Sequence, residues 1–127
     1  MTTKKQEIGK LGEDAAVKYL ENGNYQILER NYRRPWGEID VIALDKNNKN
    51  ELVFVEVKAQ NGKFEWKPEE NINHHKKHQL SRIIETYLKE KNVPEKQEWR
   101  VDALAIELDF GIKKAKINHI KNIILRA

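Results

Sequence analysis

A chain of 127 residues, 35% of them charged and with a net charge of +4, is long enough to bury a core without staples and reads as one domain over 1–127. Cysteine is absent, which excludes a disulfide framework and a thiolate metal site and fits a cytoplasmic home. No apolar run approaches a membrane span, and the first ten residues lack a signal peptide's apolar core; the excess of Lys and Arg suits a phosphate-rich partner without requiring one.

Residues from Lys4 to Glu21 read as a helix, with Ile8, Leu11, Ala15, Val17, Tyr19 and Leu20 as its apolar surface and Gly23 as its stop. Gly9 and Gly12 lie near one face. Glycine inside a helix costs about 1 kcal/mol relative to alanine, so both predict close approach of the backbone to a sheet. That approach would carry the Glu13 carboxylate inward; taken alone, Glu13 is an ordinary exposed helix glutamate. Tyr25 to Tyr32 is the first predicted strand. The RRPW segment then brings Arg33, Arg34 and Trp36 to the mouth of an acidic hairpin, a mix of basic and aromatic side chains suited to a phosphodiester track. Trp36 is equally a residue packed on the core.

Gly37 to Gln60 organises the chain: GEIDVIAL, a polar DKNNKNE tip, and ELVFVEVKAQ form that β-hairpin. Side chains alternate with period two, so Leu52, Phe54, Glu56 and Lys58 share a face. Closing the hairpin with Asp45 opposite Glu51 pairs Leu44 with Leu52, Ile42 with Phe54, Asp40 with Glu56 and Glu38 with Lys58. Two carboxylates, Asp40 and Glu56, then oppose each other, a conflict that a hard divalent cation would relieve. An isolated E-x-K on a strand is more often a solvated charge pair. Here it follows an apolar strand and faces an Asp, which reverses the preference.

After Gln60 comes a long polar loop, then a helix from Asn73 to Lys91 with Leu80, Ile83, Ile84, Tyr87 and Leu88 inward. Lys76 and Lys77 belong to a basic cluster facing solvent or phosphates. His74 and His78 are four apart, but the intervening residues are not those of a zinc-protease helix. Pro94 closes the helix. Trp99 to Leu108 and Lys113 to Ile120 are the last strands, and Asp102, amid apolar neighbours, calls first for a structural ion pair. The IKNIILRA ending either covers the sheet or joins a partner subunit in a homodimer.

Asp40 followed by Glu56-Val57-Lys58 resembles the core of the PD-(D/E)xK nuclease fold, and Gly12-Glu13 fits the acidic helix residue of some of its branches. GEDAA, YLENGNY, RNYR, GEID and FVEVK are together similar to the YraN-like family, related in fold to archaeal Holliday-junction resolvases. The match is strong over Gly9 to Lys58 and weaker through Arg100 and Asp102. Ile39-Asp40 replaces the strict PD pair, and Gln60 stands where Arg is more typical. The resemblance implies an α/β, restriction-endonuclease-like domain with a central mixed sheet flanked by helices. It implies magnesium, or manganese, held by Asp40, Glu56 and the Val57 carbonyl, with Glu13 joining directly or through water. Lys58 would orient the attacking water, and Arg33, Arg34, Trp36, Gln60, Lys76 and Lys77 would contact the nucleic acid. The expected activity is endonucleolytic hydrolysis of DNA, branched or repair and recombination DNA included, with RNA not set aside. Two other readings stand beside it: a binding module with little or no cleavage, and an interaction subunit of a DNA repair assembly.

Overall fold

A computed structural model describes residues 3–65 and 73–125; the middle of the polar segment expected after Gln60 (66–72) and the extreme ends lie outside them. Helix α1 (Lys4–Asn22) starts at a capping box: Thr3 Oγ1 accepts the Gln6 N–H at 3.1 Å, and Gln6 Oε1 accepts the Thr3 N–H at 2.9 Å. Then come β1 (Tyr25–Arg34), β2 (Gly37–Asp45), β3 (Glu51–Asn61), α2 (His74–Glu90), β4 (Trp99–Asp109) and β5 (Lys114–Ile120). Strand β1 runs past the expected Tyr32, so Arg33 and Arg34 are strand residues, and only Pro35 and Trp36 separate the Arg34–Gly37 pair.

The strands form one mixed sheet in the order β1-β2-β3-β4-β5. Strands β3 and β4 run parallel, joined by the crossover that contains α2, and the other neighbours are antiparallel. Period-two alternation divides the core between two faces. Leu52 and Phe54 pack with Leu80, Ile83, Ile84 and Tyr87 of α2, while Val53 and Val55 pack with Ala16 and Leu20 of α1. The sheet is therefore the middle of three layers, and the architecture is the expected restriction-endonuclease-like α/β one. Among the described residues, no helix is long and apolar enough to cross a membrane.

One of the two helix glycines explains the packing of α1. A Cβ on Gly12 would lie 2.3 Å from Ala59 Cβ on β3, whereas one on Gly9 would meet nothing within 4 Å. The expectation of close approach holds at Gly12 alone. The segment after β5 turns onto the sheet: the Ile123 N–H donates to the Val101 carbonyl at 2.7 Å, and Ile123 and Leu125 pack against the α2-side core.

Asp102 is fully buried and is a structural ion pair. Arg100 Nε and Nη2 donate to it at 3.0 and 3.1 Å, the Asn122 N–H at 2.9 Å, and His119 Nε2 lies 2.8 Å away. Burial disfavours the ionised carboxyl, but the bonds with His119, Arg100 and Asn122 outweigh it and hold its pKa below the usual value. Arg100 also reaches Glu51 at 2.6 Å, Asp45 at 3.0 Å and the Tyr25 hydroxyl at 3.0 Å. The Tyr19 hydroxyl lies 3.0 Å from His119 Nδ1.

Candidate metal centre at the open end of the hairpin

The β2–β3 ladder has the predicted register from Asp45–Glu51 through Leu44–Leu52 and Ile42–Phe54 to Val41–Val55, and it stops there. Asp40 and Glu56 are not a ladder pair, nor are Glu38 and Lys58. Instead Asp40 Oδ2 accepts the Val57 N–H at 2.7 Å, so a side chain supplies the acceptor where the strands separate. On the other side of β2, the β1 pairing also skips Asp40, running from Arg30–Val41 to Tyr32–Ile39. Asn31, between them on β1, has φ +52°. Strict alternation fails over this stretch: Ile39 and Ile42 both join the α2-side core, and Val41 the α1-side core. Asp40 thus occupies an interruption in both ladders.

Glu56, on the α2 face of β3, meets Lys76 from the first turn of α2, with Nζ 3.1 Å from Oε1. Its other oxygen, Oε2, is buried without a hydrogen-bond partner among the described residues. Burial and then the Glu56 charge push the Asp40 pKa from 3.8 up to about 7, against the Val57 N–H; Glu38 and Glu13 add to the rise. Burial also raises Glu56, opposed chiefly by the charge and hydrogen bond of Lys76 and, more weakly, by Lys58. Two carboxylates are therefore held where ionising both is unfavourable, and one buried oxygen faces no donor.

Lys58 is exposed, and its charge is felt at Glu56. Glu13 is mostly covered, but its carboxylate takes the Asn31 Nδ2 donor at 2.7 Å and lies 3.5 Å from Arg30 Nη2. Among the described residues no three His, Cys, Asp or Glu side chains gather into a metal-binding group. Glu13, held by Asn31 and Arg30, adds to the negative field at Asp40. Asp40 and Glu56, two carboxylates with an unsatisfied oxygen, suit magnesium, which commonly takes one or two carboxylates and keeps several waters.

The expected nucleic-acid contacts are arranged differently from a free basic track. Arg33 Nε lies 2.9 Å from Glu38 Oε2. Arg34 is paired with Glu90, through Nε at 3.0 Å, and sits 4.4 Å above the Tyr32 ring. The Trp36 N–H donates to Thr86 Oγ1 at 2.9 Å while the ring packs against the α2-side core. Gln60 Nε2 donates to the Lys63 carbonyl at 2.5 Å, and so braces the chain leaving β3. Lys77 is half-buried, whereas Lys76 turns inward onto Glu56. A shallow groove lined by Arg33, Trp36, Glu38, Lys76 and Gln79 runs beside the acidic pair.

Sequence reasoning missed Glu38 as part of the acidic field, the inward turn of Lys76, and Arg82, whose guanidinium lies 5.5 Å from the Trp36 ring centre. A signal existed for Lys76. The parallel β3–α2–β4 crossover carries the first turn of α2 back over the carboxyl end of β3, where ligand sites of α/β sheets lie.

Residues 12–106 match the profile described as "Uncharacterised protein family UPF0102". The chain is similar to the "UPF0102 protein" of Alkaliphilus oremlandii, 39% identical over 116 residues that cover 91% of this chain and 96% of the relative. It is 35% identical over 122 residues to that of Desulforamulus reducens, covering 96% and 98%. The Persephonella marina relative is 40% identical over 114 residues, covering 90% of each chain.

Proposed function

We propose that this chain, which belongs to the uncharacterised protein family UPF0102, is a magnesium-dependent endonuclease that hydrolyses DNA phosphodiester bonds, with branched repair or recombination intermediates as substrates. The observation that carries the reading is the Asp40–Glu56 pair: two partly buried carboxylates whose joint ionisation is disfavoured, with Glu56 Oε2 left without a donor among the described residues. Asp40, Glu56 and the Val57 carbonyl would hold the metal, with Glu13, whose charge acts at Asp40, joining directly or through water. Magnesium there supplies Lewis-acid chemistry, acidifying water and neutralising phosphate charge.

The chain's own residues do the rest. Lys58, exposed at the rim, orients the attacking water and donates to the phosphate oxygens on which charge builds. The Val57 N–H fixes the Asp40 carboxylate, so that ligand is aimed before substrate arrives. The groove holding Arg33, Trp36, Lys76 and Gln79 receives the flanking backbone.

The test incubates purified protein with labelled linear, flapped and four-way DNA in magnesium, manganese or chelator. Metal-dependent cleavage that disappears in Asp40→Asn and Glu56→Gln is the expected result. The binding-module reading has one observation in its favour, since Lys76 already gives Glu56 a counter-charge without metal. It becomes the better reading if no substrate is cut and magnesium leaves the melting temperature unchanged.

A further inference from the structure

Lys76 belongs to two places at once. It is the third residue of α2, and its backbone N–H donates to the Asn73 side chain at 2.9 Å, which fixes the first turn of the helix. From there the side chain extends so that Nζ reaches Glu56 Oε1 at 3.1 Å. The same side chain lines the groove with Arg33, Trp36 and Gln79. Its exposure is 33% against 12% for the carboxylate it touches, so the ammonium enters the acidic pair from the groove side. Glu56 takes this cation on one oxygen while the other stays unpartnered among the described residues.

A lysine ammonium and a hard divalent cation compete for one carboxylate, because both are positive and both need its oxygens. The four-carbon stem of lysine lets the ammonium leave by rotation without disturbing α2. The groove it would re-enter is the one the nuclease reading assigns to the DNA backbone.

We propose that Lys76 is an exchangeable counter-ion: it neutralises Glu56 in the metal-free protein, is displaced when a divalent cation binds, and then grips a DNA phosphate in the groove, so that metal and nucleic acid load together. This rests on the nuclease reading and divides the work between two lysines. Lys58 serves the reacting phosphate, and Lys76 couples occupancy of the two sites as a positioning residue. The coupling is reciprocal: whatever the metal does for DNA affinity, DNA does for metal affinity.

The test needs no turnover. Binding of Mn2+ to the whole chain, without DNA, is followed by the electron paramagnetic resonance signal of the free ion. Lys76→Met removes the competitor and should tighten Mn2+ roughly tenfold, within the usual range of coupling between sites, while Lys76→Arg stays near wild type. A lysine with a merely structural role would leave Mn2+ affinity unchanged or weakened on removal, and either result overturns the proposal. Thermal melts in chelator and in Mn2+ show that each variant is folded. A second arm measures anisotropy of a short labelled DNA duplex. Lys76→Met should match wild type in chelator, where the lysine is held by Glu56, and bind more weakly in Ca2+, where it is released. Equal loss in both conditions overturns the exchange. If wild type and Lys76→Met alike bind no Mn2+, the metal reading falls too; if wild type binds it and Lys76→Met is unchanged, only the exchange falls.

Discussion

Asp40 is a titrating group and the hydrogen-bond acceptor for Val57, and in the proposed function it is also a metal ligand. Its pKa is about 7 in the fold against 3.8 when unconstrained, so the native state holds a proton that the unfolded chain has already lost. The contribution to stability is complete below pH 4 and is lost as pH rises to about 7. The gap corresponds to on the order of 4 kcal/mol. Metal-free wild type should therefore lose stability relative to Asp40→Asn across pH 4 to 7, as denaturant melts in chelator would measure. Asp102 and Glu90, both lowered, act in the opposite sense and below that window. In the proposed function magnesium displaces the Asp40 proton, so its affinity should fall roughly tenfold per unit below pH 7 and level off above it, as calorimetry would record. Lys58 is the contrasting residue: Lys58→Ala should lower cleavage about a hundredfold or more while metal affinity stays within about twofold, because its contribution comes in the transition state.

At the scale of elements, the fold depends on how closely α1 can approach β3. Gly12→Ala should destabilise by about 1–3 kcal/mol, since the added methyl would overlap that of Ala59. Ala59→Gly in the same chain should recover part of this, and denaturant melts of the single and double variants would check it. Much of this level was legible from the residues. Apolar partners on matching faces favoured the hairpin register that the structure has up to Val41–Val55, and Gly23 and Asn73 marked helix limits. The departure at Asp40 was not legible. It depends on Asn31 turning left-handed on a neighbouring strand and on a Val57 amide that alternation alone would have paired with backbone. The inward reach of Lys76 was legible only through the topology, since the parallel crossover returns the first turn of α2 to the carboxyl end of β3.

The whole molecule has one pinned end and one open end. Tyr25 of β1, Asp45 of β2, Glu51 of β3, Arg100 and Asp102 of β4, His119 of β5 and Tyr19 of α1 form one connected cluster, contributing from every strand. Only Asp102 in this cluster was foreseen, because its members come from separate segments that no local pattern links. Arg100→Met should destabilise by about 3–5 kcal/mol in a thermal or denaturant melt, since it leaves buried carboxylates uncompensated. The cluster meets the closed end of the hairpin, and the strands part at the other end, beyond Val41–Val55. The consequence is a gradient of local opening along a single strand. Amide protons of Val53 and Val55 should exchange with deuterium only on global unfolding, whereas that of Val57, whose acceptor is a side chain, should exchange through a smaller fluctuation. Magnesium should slow the Val57 proton selectively. In a hydrogen-exchange time course the ligand would then be read from a single amide, before any substrate is known.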